Sequence, residues 1–127
     1  MKRLLVALLA FSALAISHPG AARAAAERLV YVGTFTAEFN PNSQSKGIYA
    51  FRLNEDTGAL SPLGLVATTV NPSYLTASKD GRFLFATNEL QMKDGEPAGF
   101  VTSYLINKAT GMLTPLSSQL SKGAGPC

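Results

Sequence analysis

The chain repeats itself once. Thr57-Gly58-Ala59-Leu60-Ser61-Pro62-Leu63 returns as Thr110-Gly111-Met112-Leu113-Thr114-Pro115-Leu116, an offset of 110 − 57 = 53 residues. The strand-like lead-in returns too, Ile48 to Asn54 becoming Val101 to Asn107 at the same spacing. A period of this length in strand-rich sequence marks the blades of a β-propeller, each blade being a sheet that buries its faces against its neighbours. Such rings close with about 4–8 blades. At 127 residues the chain holds about two of them by that measure. The fold expected is all-β, with four-stranded antiparallel blades, and no helix of useful length after residue 26.

The first 26 residues read as something else. Lys2 and Arg3 precede an apolar run from Leu4 to Ile16, Pro19-Gly20 follows, and Ala-x-Ala patterns stand at Ala22-Arg23-Ala24 and Ala24-Ala25-Ala26. This is the layout of a secretory signal peptide cleaved after Ala24 or Ala26. The run is short of the roughly 20 residues a membrane span needs, and an uncleaved anchor is the alternative. Residues 27–127 are then a partial propeller in an exported protein, periplasmic or extracellular, with no stable membrane anchor after cleavage.

Removing the leader changes the charge. Lys2, Arg3 and Arg23 lie in it, so 11 − 3 = 8 basic residues face 8 acidic ones in the remainder. The remainder is formally neutral and carries no basic patch for nucleic acid. The single histidine, His18, also lies in the leader, which removes histidine general-base catalysis, a Ser-His-Asp triad and most zinc sites from residues 27–127. The single cysteine, Cys127, cannot form an internal disulfide. It is buried, paired with another chain or reactive, burial being the commonest case. No Gly-rich phosphate loop, zinc spacing or acidic calcium loop is present, and no cofactor is implied.

Strand and turn signals alternate along the rest. Leu29–Thr34, Gly47–Leu53, Ala59–Ala67, Ser73–Ser78, Arg82–Asn88, Gly99–Ile106 and Met112–Gln119 read as strands. Pro62 cannot donate to a ladder, which places its strand at the outer edge of a blade. Antiparallel neighbours reverse direction, so the connections sort to two ends. The turns at 54–58, 79–81 and 107–111 fall at one end. The long polar connections 35–46, 68–72, 89–98 and 121–126 fall at the other, the end where function is expected. The first strand matches the second strand of the later unit, so the first blade lacks its inner strand. The aromatic residues Tyr31, Phe51, Tyr74, Phe83, Phe85 and Tyr104 sit at strand spacing and are expected between blades.

That loop rim holds the candidate site. Acyl transfer to water needs a base to activate the water and donors for the developing oxyanion. Glu89 is the candidate catalytic carboxylate, and Asn71, Asn88 and Thr34 are the candidate substrate-binding groups. The plainer alternatives are that Asn71 forms a turn before Pro72 and that Asn88-Glu89 ends a strand.

The ordered series Tyr31-Val32-Gly33-Thr34-Phe35-Thr36, Lys46-Gly47-Ile48-Tyr49, Asp56-Thr57-Gly58-Ala59-Leu60, Asn71-Pro72-Ser73-Tyr74-Leu75, Asp80-Gly81-Arg82, Asn88-Glu89 and Gly123-Ala124-Gly125-Pro126-Cys127 resembles the N-terminal part of the lactonase family. These are seven-bladed propellers, the 6-phosphogluconolactonase-like proteins. The resemblance implies a hydrolase taking a small sugar lactone to an aldonic acid. It also implies a histidine directly after the Gly-Pro-Cys segment, with arginine and glutamate at or beyond that point as the catalytic groups. The chain ends one residue short of that histidine and reads as a fragment, inactive by itself, that self-associates through open blade edges. Export fits an extracytoplasmic lactone better than a phosphorylated intermediate of the cytosol. The rival readings are a non-catalytic propeller that binds through its rim and a non-functional truncated product.

Overall fold

The computed structural model describes residues 26–93 and 95–127. The expected leader, residues 1–26, lies outside the described residues apart from exposed Ala26, whose carbonyl accepts from the Glu55 N–H (2.9 Å). Among the described residues nine strands follow in order: β1 Glu27–Gly33, β2 Gly47–Asn54, β3 Leu60–Thr68, β4 Pro72–Ala77, β5 Phe83–Asn88, β6 Met92–Lys93, β7 Glu96–Pro97, β8 Phe100–Ile106 and β9 Leu113–Leu120. They make a three-stranded antiparallel sheet, β1-β2-β3, a four-stranded one, β4-β5-β8-β9, and the small hairpin β6-β7. The first sheet thus has one strand fewer than the second, as the position of the first strand in the repeat requires. The stretch 89–98, expected as plain loop, contains the β6-β7 hairpin. Among the described residues no helix is long and apolar enough to cross a membrane.

The repeat is reproduced bond by bond. Asn54 Oδ1 accepts from the N–H groups of Asp56 and Thr57, and Gly58 N–H returns to the Asn54 carbonyl. Asn107 Oδ1 does the same for Ala109 and Thr110, with Gly111 N–H on the Asn107 carbonyl. The asparagine side chain replaces a missing backbone partner, and Gly58 and Gly111 supply the positive φ (74° and 79°) that closes each turn. One irregularity matches as well, although the further shift between Ile48 and Tyr49 has no counterpart in the second sheet. A bulge separates Ala50 from Phe51 opposite Pro62, and another separates Ser103 from Tyr104 opposite Pro115, 53 residues on in each case (103 − 50, 115 − 62). Both prolines lie in the outermost strand of their sheet, where a missing N–H leaves the ladder intact.

Strand alternation divides each sheet into two faces. Ile48 and Ala50 of β2 point to the second sheet, and Leu84, Ala86, Tyr104 and Leu113 point back to them; all are buried. Full burial of a side chain such as Ile48 stabilises by about 1.5–3 kcal/mol, so this seam between the sheets is the core. Tyr31 lies against it, and its hydroxyl donates to the Gly111 carbonyl (3.0 Å). Burial pushes the Tyr31 phenol above its ordinary value, partly offset by the Arg52 guanidinium. Of the six aromatic residues expected between sheets, Tyr31 and Tyr104 pack in this seam. Phe51 lies on the far face of the first sheet and Tyr74, Phe83 and Phe85 on the far face of the second, with Tyr74 and Phe85 exposed, because their strand positions have the opposite parity to the seam residues. Cys127, whose burial was the commonest expectation, is exposed.

Candidate functional site

The long connections meet at one end, held by two buried asparagines. Asn71 links three segments. Its Oδ1 accepts from the Thr36 N–H (2.8 Å) in the β1–β2 connection, and its Nδ2 donates to the Glu89 carbonyl (3.1 Å) after β5. Glu89 N–H returns to the Asn71 carbonyl (2.9 Å). Asn71 adopts φ 38°, a left-handed conformation that asparagine tolerates better than most residues. The Thr36 hydroxyl lies near both Asn71 Oδ1 (2.9 Å) and the Glu38 carboxylate, and its one proton serves either.

Asn88 clips the connection between the sheets. Its Nδ2 donates to Thr69 Oγ1 (2.8 Å) and to the Val70 carbonyl (2.5 Å), and its Oδ1 accepts from the Thr102 hydroxyl (2.9 Å). The fourth connection joins the same rim: Gly125 N–H donates to the Leu90 carbonyl (2.8 Å), and Ser121 N–H to the Gly99 carbonyl (2.9 Å).

The four sequence candidates are therefore brought together but in different roles. Asn71 (1% exposed) and Asn88 (0%) are buried and bonded to the protein itself. This corrects the expectation that their amides face a substrate. Inside a packed seam a polar group keeps its free energy low only by pairing internally, and these two shape the rim instead. Thr34 donates its hydroxyl to the Gly47 carbonyl (2.7 Å) and holds the start of β2. Glu89 is half-buried, fixed through its backbone, and its carboxylate makes no hydrogen bond or ion pair among the described residues.

Above this network is an open cavity of about 270 Å³ between the 36–46 and 68–70 connections, lined among others by Thr36, Glu38, Ser45, Lys46 and Thr69. A second cavity of about 450 Å³ shares Glu38 and Val70 and extends to Leu90, Met92 and Ala98. The sequence reading missed Glu38 and Lys46. The available signal was that they are the only acid and the only base in the 35–46 connection. The Thr36 hydroxyl, then Glu38's own N–H, hold the Glu38 carboxyl below the usual glutamate value, so it stays anionic. The lining of these cavities offers one carboxylate, Glu38, one ammonium group, Lys46, and the hydroxyls of Thr36, Ser45, Thr68 and Thr69, which can orient a polyhydroxylated ligand; Glu89, on the same rim, lines neither cavity. Among the described residues no three histidine, cysteine or acidic side chains come close enough to hold a metal ion.

At the opposite end, a cleft of about 330 Å³ between the sheets is lined by Glu27, Arg28, Tyr31, Arg52 and Lys108 among others. Its cations are engaged: Arg28 with Glu55 (2.7 Å), Arg52 with Glu27 (3.5 Å) and the Ala109 carbonyl, Lys108 with the Asp80 carbonyl (2.9 Å).

Comparison with known proteins agrees with this architecture. The family model for the lactonase, 7-bladed beta-propeller, matches residues 29–127. A 6-phosphogluconolactonase of Bacillus subtilis (strain 168) is 38% identical over 97 residues, which is 76% of this chain and 25% of that protein. The crystal structure of a candidate 6-phosphogluconolactonase from Bacteroides fragilis superposes with a TM-score of 0.68 at 40% identity, covering 80% of this chain and 26% of that one. The periplasmic gluconolactonase PpgL of Pseudomonas aeruginosa gives 0.66 at 34% identity, covering 80% and 27%. The chain spans about a quarter of the length of the relatives it matches. By the extent of the family match and the superposition over 80% of its length, this chain belongs to the seven-bladed β-propeller lactonase family.

Proposed function

We propose that the chain supplies part of the loop rim of a lactone hydrolase of the 6-phosphogluconolactonase type, which opens a sugar lactone to its aldonic acid. The reading rests on one observation: Asn71 ties the 36–46 connection to Glu89, beside cavities lined by Glu38 and Lys46. Kinship with 6-phosphogluconolactonases supports the reaction class. In that reaction a base removes a proton from water and the oxygen adds to the lactone carbonyl carbon. The tetrahedral intermediate then expels the ring oxygen, which takes a proton, so one water is consumed. Glu89 is the candidate base. Lys46 is the candidate group for the developing oxyanion or for an acidic substituent. Thr34, Asn71 and Asn88 act as positioning residues.

By itself the chain binds the aldonate without turnover, since residues 27–127 contain no histidine and offer one sector of the rim. The test is to titrate the purified protein with gluconate and with 6-phosphogluconate while following backbone amide NMR shifts. Hydrolysis of glucono-δ-lactone is followed in parallel. Shifts confined to Thr36, Lys46, Thr69 and Glu89, with hydrolysis at the buffer rate, are expected. Shifts centred on Arg52 and Lys108 would refute the site, and hydrolysis well above the buffer rate would refute the absence of turnover. Export to the periplasm is part of the proposal, supported by the leader-like residues 1–26 and by the periplasmic description of PpgL. A fusion of residues 1–26 to alkaline phosphatase, active only outside the cytoplasm, checks it.

A further inference from the structure

The Glu38 side chain is exposed, yet a buried frame holds it. Its carboxylate accepts from the Thr36 hydroxyl, and Thr36 is itself buried with its N–H on Asn71 Oδ1 (2.8 Å). Asn71 carries the frame on to the Glu89 carbonyl (3.1 Å). A side chain fixed in this way has less freedom left to lose when a ligand arrives. The same Thr36 bond keeps the carboxylate anionic by holding it below the usual glutamate value.

Its place matters as much as its charge. Glu38 lines both rim cavities, that of about 270 Å³ and that of about 450 Å³, so a ligand reaching from one to the other passes it. Both walls of the first cavity, 36–46 and 68–70, are segments of this chain. Lys46 lines that cavity too, its carbonyl fixed by the Thr69 N–H (3.1 Å). Among the described residues no ion pair joins Lys46 to Glu38, which leaves the carboxylate open to a ligand. An ionised carboxylate only accepts hydrogen bonds. It therefore suits sugar hydroxyls, which donate. A phosphate monoester at pH 7 brings about −1.5 to −2 charges and is repelled.

We infer that Glu38 is a specificity-determining residue of this rim. It accepts hydrogen bonds from neighbouring hydroxyls of a polyhydroxy acid and disfavours a phosphate in their place, with Thr36 as its positioning residue. The inference rests on the reading of this rim as the ligand site of a lactonase, and adds the group that sorts sugar acids by phosphorylation.

Calorimetric titration of the purified protein and its variants with gluconate and with 6-phosphogluconate tests it. Glu38→Gln keeps an acceptor for the Thr36 hydroxyl and removes the charge. It should weaken gluconate about tenfold, the loss expected for one charge-assisted hydrogen bond, and leave 6-phosphogluconate unchanged or tighter. Thr36→Val should move the ratio of the two affinities in the same direction, and Thr36→Ser should restore it. Glu38→Gln alters an exposed side chain, so it decides the question should Thr36→Val not fold. Lys46→Met should weaken both ligands, which reports on the site and not on Glu38. Ligands weakened by Lys46→Met but an affinity ratio unmoved by Glu38→Gln would overturn this inference and leave the site standing. Affinities indifferent to Lys46→Met, or no binding of either ligand, would refute the site and the inference with it.

Discussion

Replacing Asn88 with alanine separates a positioning role from a ligand-binding one. The side chain makes three hydrogen bonds, to Thr69, Val70 and Thr102. Losing them does not strand the partners. The Thr102 hydroxyl has Ser118 Oγ 3.4 Å away, and Thr69 borders the open cavity, where water reaches it. Val70 borders the same cavity and a second one, so water reaches that side of the seam too, and the loss is the net value of three hydrogen bonds: Asn88→Ala should destabilise by about 1–3 kcal/mol. Asn88→Asp should cost more, since a carboxylate cannot donate to the Val70 carbonyl and brings a charge into a buried position. Asn42→Ala is the control: Asn42 is exposed, and its effect should stay within about 0.5 kcal/mol. Urea unfolding followed by far-UV circular dichroism gives the values by linear extrapolation, with the slope unchanged. An alanine variant as stable as the control would mean that the amide does not hold the two sheets together.

Three further outcomes are expected. Gly33→Ala should destabilise by about 1–3 kcal/mol or more, because the new Cβ would lie 1.9 Å from the Pro72 carbonyl oxygen; thermal unfolding of the variant checks this. Asn54→Ala and Asn107→Ala should cost similar amounts, about 1–2 kcal/mol each, since the two turns share one bonding pattern, and a large inequality in urea midpoints would contradict the equivalence. Asp80 is held below the ordinary aspartate value by the Ser78 hydroxyl, then by the Arg82 N–H. Its contribution is therefore present above its unfolded pKa and fades as pH falls through the lower folded value, so Asp80→Asn should flatten the acid limb of the stability–pH profile, with the neutral-pH turn retained.

The sheet order was legible because the repeat and the turn residues are local signals. Asn54 and Asn107 reach only two or three residues ahead, so their sequence neighbours reveal them. Pro62 gave away an edge strand for the same reason: a missing N–H is a property of one residue. That Asn71 makes a turn before Pro72 and that Asn88 ends a strand was legible; that their amides are buried and join distant segments was not. Both partners of Asn71 are distant in sequence, Thr36 by 35 residues and Glu89 by 18, and whether an amide is buried depends on where one sheet rests on another. Tyr74, Phe83 and Phe85 show the same limit. Their spacing marks a strand, yet parity alone decides which face they occupy, and only the pairing register fixes parity. Glu38 and Lys46 went unremarked because they stand eight residues apart in a polar connection, and only the fold brings both to one cavity beside Thr69.

Gly33 has a consequence for the angular pitch of the whole circle. Its backbone stands directly against the Pro72 carbonyl, where β1 of one sheet approaches β4 of the next. The gap there is narrower than a methyl group, so main chain meets main chain at the hub side of the wedge. Any side chain would pry adjacent sectors apart, and a wider sector leaves room for fewer of them around the axis. How many sectors a ring of this kind accommodates is thus written partly in an atom that is missing.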